Sequence, residues 1–179
     1  MSTKELILVD EQNNPVGTCD KILAHREGLL HRAISIMLFD DQGKILLQRR
    51  NDKKYHSGGL WANACCSHPF PNEAAKSAAI RRVKEELGIQ CKLDYEFERT
   101  YLARVSQEMV ENEYVVFFSG VYSGKVDFNT SEVSQITWES PSSIDNLMKK
   151  KREIFAAWFQ IYWRDHRDVW ENISVRSLG

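Results

Sequence analysis

Apolar residues fall mostly in short runs or strict alternation, and take up helical spacing in only a few places. Residues 6–9 form an apolar run closed by Asn13-Asn14-Pro15, which predicts a short strand and a turn. The runs 33–39 and 45–48, separated by Asp40-Asp41-Gln42-Gly43, predict a β-hairpin. Residues 49–59 are polar and end in a Gly pair, so they read as a loop, and 60–66 resume as an apolar strand. Ile89, Cys91, Leu93, Tyr95 and Phe97 alternate strictly, as one face of a strand does. Residues 110–121 and 133–138 add further strands.

The clearest helix lies between Asn72 and Gly88. Ala75, Ala79, Val83 and Leu87 recur every four residues and form one apolar stripe. Asn72 is the expected cap of its first amides, and Gly88 suits the left-handed position that ends a helix. Residues 142–150 predict a short helix. Residues 153–168 carry Ile154, Trp158, Ile161 and Tyr162 on one helical face. Strands, a helix, more strands and then helices imply an α+β or layered α/β/α architecture.

The chain's 179 residues imply one globular domain, 1–179. With 24 Lys and Arg against 25 Asp and Glu, the net charge of −1 argues against a nucleic-acid coat or a polybasic membrane anchor. No apolar run approaches the ~20 residues of a membrane span. Acidic residues close behind the first apolar run argue against a secretory signal, so a cytoplasmic protein is expected. Cys19, Cys65, Cys66 and Cys91 form no CxxC pair and are too few for a disulfide scaffold, which predicts reduced and mostly buried thiols.

Five groups of residues could carry chemistry. In Cys65-Cys66-Ser67-His68-Pro69, an extended backbone puts Cys66 and His68 on one face and Cys65 on the other. In Glu111-Asn112-Glu113, two carboxylates share a strand face. They repel unless a cation intervenes or one keeps its proton. His25 and His31 match no helical zinc spacing. Combined with His68, Glu111 and Glu113 they make a mixed nitrogen and oxygen donor set, suited to Mn²⁺, Zn²⁺ or Mg²⁺. Lys21, Arg49, Arg50, Lys53 and Lys54 are a basic set able to hold a polyanion such as diphosphate.

The fifth group is the helix itself, Ser67-x5-Glu73-x7-Arg81-Arg82-Val83-Lys84-Glu85-Glu86-Leu87-Gly88-Ile89. It resembles the Nudix box, G-x5-E-x7-R-E-U-x-E-E-x-G-U, which binds a divalent metal and a diphosphate. Ser67 replaces the first Gly, and Arg82 replaces a metal-binding Glu. An Arg cannot ligate Mg²⁺ but can clamp a phosphate. The loss of one carboxylate weakens the case for metal-activated hydrolysis. Without an ion, Glu85 and Glu86 would pair with Arg81 and Arg82 across one helical turn.

Taken together, these features resemble the type I isopentenyl-diphosphate Δ-isomerase family, from about Lys21 to Trp158. The segment 61–69 and Glu111-Asn112-Glu113 carry that resemblance more specifically than the box does. It implies a Nudix-like α/β/α sandwich with mixed sheets and a Nudix-type helix at about 73–87. The implied activity is reversible conversion of isopentenyl to dimethylallyl diphosphate in isoprenoid biosynthesis, by a monomer. His25, His31, His68, Glu111 and Glu113 would hold the main divalent ion. Glu86, helped by the main-chain carbonyl of Cys66, would hold a diphosphate-bridging Mg²⁺. Lys21, Arg50, Lys54 and Arg82 would contact phosphate. Cys66 and Glu113 would be the acid/base pair, with Tyr101 and Trp158 lining the hydrocarbon pocket. The competing expectations are a Nudix diphosphohydrolase and a non-catalytic Nudix-like sensor. Residues 166–179 receive no role.

Overall fold

The computed structural model describes residues 5–178. Residues 1–4, in the stretch read as no secretory signal, and Gly179, at the end of the stretch without a role, lie outside them. In chain order the elements are β1 (Glu5–Val9), β2 (Pro15–Asp20), α1 (Lys21–Glu27), β3 (His31–Phe39), β4 (Ile45–Arg50), β5 (Trp61–Asn63), β6 (Cys65–Ser67) and α2 (Ala75–Leu87). There follow β7 (Asp94–Arg104), β8 (Val110–Val121), β9 (Val133–Glu139), α3 (Pro141–Lys150), a 3-10 turn (Arg152–Ile154), α4 (Ala157–Asp165) and α5 (Arg167–Arg176). No described helix is long and apolar enough to cross a membrane.

β3 is the axis of the mixed sheet. One edge pairs in parallel with β8, from His31 opposite Glu113 to Phe39 opposite Val121. The other edge meets β1, β6 and β4 in turn, all antiparallel. A strand covered on both faces needs an almost continuous apolar run, and 33–39 supplies one. Ala33, Met37 and Phe39 pack with Val115 and Phe117 under Trp158, Phe159, Tyr162 and Trp170. Ile34, Ile36 and Leu38 face the other way, with Val116 and Phe118, onto Ala79, Val83 and Leu87 of α2. The result is the expected Nudix-like α/β/α sandwich. Each fully buried Val, Leu or Phe in it contributes about 1.5–3 kcal/mol.

Several local expectations need correction. β3 and β4 pair only at Phe39 and Ile45, because β4 spends its edges on β9 and β5 instead. The stretch 60–66 splits in two: β5 belongs to β4, β6 to β3, and the chain crosses at Ala64. The Asn63 amide spans that crossing, donating to the carbonyls of Ile36 (2.8 Å) and Cys65 (3.3 Å). Ile89 and Leu93 are buried under α2, but β7 begins only at Asp94, where Ser119 of β8 becomes its partner.

Asn72 does not cap α2. It sits at φ +66°, and the helix starts at Ala75 behind Ala74, whose side chain caps nothing. Glu73 instead accepts from the Phe70 amide at 2.8 Å and takes the Arg81 guanidinium in two bonds of 2.7 Å. Gly88 does end the helix, at φ +67°, where an added Cβ would lie 2.7 Å from the Asp127 carbonyl oxygen.

The helix expected over 153–168 is interrupted. The Ala156 amide donates to Trp61 O (2.9 Å), and this β-type contact of the 155–156 segment delays α4 to Ala157. The unassigned stretch after 166 closes the core. Trp170 is fully buried and donates its indole N–H to Tyr162 O (3.1 Å), and the Ser174 hydroxyl donates to Gly43 O (2.5 Å). All four thiols are free, but only Cys65 is fully buried; Cys19, Cys66 and Cys91 are half-buried.

Candidate active site

Four separate elements bring the histidines and carboxylates together. α1 was not foreseen, because seven residues carry little periodicity. Asp20 caps it by accepting from the amides of Ile22 (2.9 Å) and Leu23 (3.1 Å). That helix places Lys21 and His25 one turn apart, and His25 Nδ1 lies 2.6 Å from Lys21 O. His31 opens β3, with Nδ1 at 2.8 Å from Leu29 O. His68 follows β6. Glu111 and Glu113 share a face of β8, as the strand period requires.

Glu113 Oε1 is 2.9 Å from His68 Nε2 and 3.6 Å from His31 Nε2, while its Oε2 accepts the Tyr101 hydroxyl at 2.7 Å. Glu111 Oε2 is 3.3 Å from His25 Nε2. His25 and His31 are fully enclosed, and Glu111 and Glu113 are 4% and 6% exposed. Yet the Nε2 atoms of His25 and His31 and Oε2 of Glu111 have no hydrogen-bond partner. Orphaned lone pairs at that depth are costly. With Nδ1–H donated to backbone carbonyls, each Nε2 is left as a metal-ligating lone pair. His25, His31, His68 and Glu113 present donor atoms within 4.8 Å of one another. The donor set fits a divalent cation.

Burial pushes both carboxylates up. In the absence of an ion the neighbouring imidazoles nevertheless win whenever they carry a proton: a charged His31 ring 3.6 Å away, with the Tyr101 hydroxyl, holds Glu113 at about 2. His25 and His56 hold Glu111 below the usual carboxylate range, against burial and the Glu113 charge. Burial likewise drives His68 well below its ordinary value, helped by the Lys21 and His31 charges.

Cys66 stands on the same side of the sheet. Its thiol donates to Asn63 Oδ1 (3.1 Å) and lies 3.4 Å from Ser35 Oγ. Asn63 in turn donates to Ser35 Oγ at 2.9 Å. Burial raises the thiol to about 12, with the Glu113 charge adding to it and Ser35 and Asn63 opposing. Cys65 points the other way, into the α2 core. Cys66, Glu113, Tyr101 and Trp158 line a cavity of about 50 Å³ together with Lys21, Arg50, Lys54 and Arg82.

The basic residues meet acids there. Arg82 pairs with Glu86, with Glu85 at 2.6 Å and with Glu132 at 3.5 Å, and Lys54 pairs with Glu132. The Arg50 guanidinium sits 5.0 Å from the Trp158 ring centre. Burial lowers the Lys21 ammonium to about 8, assisted by the Lys54 and Arg50 charges. Arg49 and Lys53 do not line this cavity. Arg49 ties the loop by donating to Gly59 O at 2.9 Å, and Lys53 lines an adjoining outer groove.

The sequence reading missed three neighbours of the site. His56 lies 2.9 Å from Glu111 Oε1, Tyr55 packs edge-on to it, and Glu132 joins the basic cluster. No spacing marked them, since Tyr55 and His56 sit in an irregular loop and Glu132 precedes a strand.

The NUDIX domain matches residues 29–159. The chain is 40% identical over 171 residues to an isopentenyl-diphosphate Delta-isomerase of Pectobacterium atrosepticum, covering 96% of each chain. It is 43% identical to an enzyme of the same name from Burkholderia multivorans, over 87% of this chain and 89% of that one. A Deinococcus radiodurans crystal structure shares the fold at a TM-score of 0.75 and 17% identity, over 89% of this chain and 97% of that one. The MutT protein of Methanosarcina mazei superposes at 0.63 with 20% identity, over 80% and 95%. The modified box and the Cys-Ser-His and Glu-Asn-Glu segments therefore sit in a chain that belongs to the NUDIX domain family and, within it, to the isopentenyl-diphosphate Delta-isomerases.

Proposed function

We propose that the chain, acting as one domain over 1–179, interconverts isopentenyl and dimethylallyl diphosphate by adding a proton to the alkene and removing one from a neighbouring carbon. The observation that carries this reading is the presence of the Cys66 thiol and the Glu113 carboxylate on the walls of one cavity, with Tyr101 and Trp158.

Protonating an unactivated double bond produces a tertiary carbocation. Water must be kept out, and a π face must be near. The Trp158 indole already lies 5.0 Å from a guanidinium, and a desolvated cation–π contact is worth ~2 kcal/mol. Two proton-transfer groups are needed. The thiol, held near 12, carries a proton, and the carboxylate, held near 2, is ionised. They exchange roles when the reaction runs in reverse. The Tyr101 hydroxyl fixes Glu113 Oε2.

Lys21, Arg50, Lys54 and Arg82 bind the diphosphate, exchanging the carboxylates of Glu85, Glu86 and Glu132 for phosphate oxygens. That binding positions the hydrocarbon without breaking a P–O bond. His25, His31, His68, Glu111 and Glu113 would hold a Mn²⁺, Zn²⁺ or Mg²⁺ ion, which would supply charge that orients Glu113 and tunes its basicity. Glu86, with the Cys66 carbonyl, would hold a Mg²⁺ ion, which would supply positive charge to the diphosphate. A cytoplasmic monomer completes the reading.

The test is incubation with isopentenyl diphosphate and Mg²⁺ in D₂O, followed by NMR. Deuterium-labelled dimethylallyl diphosphate is expected. Release of phosphate or pyrophosphate without isomerisation would establish the diphosphohydrolase instead, and binding without turnover the sensor.

A further inference from the structure

We infer that His56 is a fourth imidazole ligand of the ion held by His25, His31, His68, Glu111 and Glu113, carried to the site by the loop between β4 and β5. The inference rests on the metal site proposed above and adds a residue to it.

His56 has the same arrangement as the two histidines that approach the cluster from α1 and β3. In each, Nδ1 is engaged by an oxygen: Lys21 O for His25 (2.6 Å), Leu29 O for His31 (2.8 Å) and Ser57 Oγ for His56 (3.2 Å). In each, Nε2 is buried and has no hydrogen-bond partner. A carbonyl only accepts, so His25 and His31 carry the proton on Nδ1 and leave Nε2 as the lone pair turned toward a metal, and the Ser57 hydroxyl, able to accept from Nδ1–H, permits His56 the same tautomer. His56 is 6% exposed, although it belongs to a polar loop.

Its Nε2 also points to the right place. It lies 2.9 Å from Glu111 Oε1, and the donor atoms of His25, His56 and Glu111 fall within 4.8 Å of one another. His25 belongs both to this trio and to the set with His31, His68 and Glu113. Two donors on one ion with bonds of about 2.1 Å lie at most about 4.2 Å apart. A contraction of about half an ångström would bring the trio within bonding range of one ion, and His25, common to both groups, links that trio to His31, His68 and Glu113. The loop holds the ring in position: Arg50 donates to His56 O (3.3 Å), Asn51 to Thr130 O (2.7 Å), and the ring stands edge-on to Trp158 at 5.8 Å. A hydrogen bond from His56 to Glu111 is the competing role, and a glutamine can imitate that but cannot supply an imidazole.

The experiment loads the intact protein with one equivalent of Co²⁺ and counts imidazoles by X-ray absorption, with affinity measured by chelator competition. Wild type is expected to show four imidazoles. His56→Ala and His56→Gln should each show three and bind Co²⁺ at least about 10-fold more weakly. Their melting in the presence of chelator should match the wild type, which checks that they fold. Three imidazoles in wild type, with affinity unchanged in His56→Gln, would overturn the assignment while leaving the five-ligand site intact. Failure of wild type to take up Co²⁺ with any imidazole would overturn the metal site itself, and His56 with it.

Discussion

His31 and Glu113 stand opposite each other in the parallel register of β3 and β8, with His31 Nε2 3.6 Å from Glu113 Oε1. The pairing of two central strands thus sets the spacing of two ligands that lie 82 residues apart in sequence (113 − 31). The same register puts Tyr101 of β7 opposite Glu113. A slip of β8 by one residue would turn Glu111 and Glu113 away from the histidines, toward the face that α2 covers.

Metal removal should therefore be felt in stability as well as in turnover. The Nε2 atoms of His25 and His31 and Oε2 of Glu111, which have no hydrogen-bond partner, gain a partner when a cation binds. An ion at 100 times its dissociation constant stabilises by about 2.7 kcal/mol. For a chain of this size each kcal/mol is about 2–4 °C. Calorimetry with Mn²⁺, and again after chelation, should show melting temperatures about 5–10 °C apart. Equal melting with Mn²⁺, Zn²⁺ and chelator would rule the site out.

Cys66→Ala should abolish proton exchange while sparing the fold. The half-buried thiol packs at the rim of the core, and the phosphate-binding cations are untouched. General acid/base groups contribute about 10²–10⁴-fold. A loss of at least that size in deuterium incorporation is expected, with diphosphate affinity within a few-fold of wild type. Full activity in this variant contradicts the assignment of the thiol.

Much of this site was legible in the sequence, for identifiable reasons. The β8 carboxylates and the Cys66/His68 face follow from a period of two, and β8 runs over the same residues, 110–121, that its pattern implied. What escaped were features decided by distant partners. Trp61 O fixes the start of α4, and β9 and β5 draw β4 away from β3. α1 is too short for a period, and Tyr55 and His56 reach the site from a loop with no pattern at all.

Asn63 is the residue whose loss should separate positioning from chemistry. It is fully buried, accepts the Cys66 thiol, and donates to Ser35 Oγ, Ile36 O and Cys65 O. Asn63→Ala strands these groups, at about 1–3 kcal/mol for a buried unmet partner. Urea denaturation should show that loss. Steady-state kinetics should show kcat falling with KM little changed, because the residue touches the thiol and none of the phosphate-binding cations. A KM effect alone would contradict the positioning role.

The ion pair between Glu73 and Arg81 makes a prediction about pH. Two bonds of 2.7 Å stand in for the missing cap of α2. The Arg81 guanidinium, with the Phe70 amide, holds the Glu73 carboxyl below the ordinary carboxylate range, burial opposing. A carboxylate whose folded pKa is depressed binds fewer protons in the native state than in the unfolded chain. Its stabilisation is therefore complete above the unfolded value, about 4.3, and drains away as pH falls through the lower folded value. Glu73→Gln should cost about 1–2 kcal/mol at neutral pH, the partial exposure of both side chains keeping the figure modest. Denaturation of wild type and variant across the acid range should show the two curves converging below about pH 4. A gap that stays constant down to pH 2 would mean that the carboxylate charge contributes nothing and that only the shape of the side chain matters.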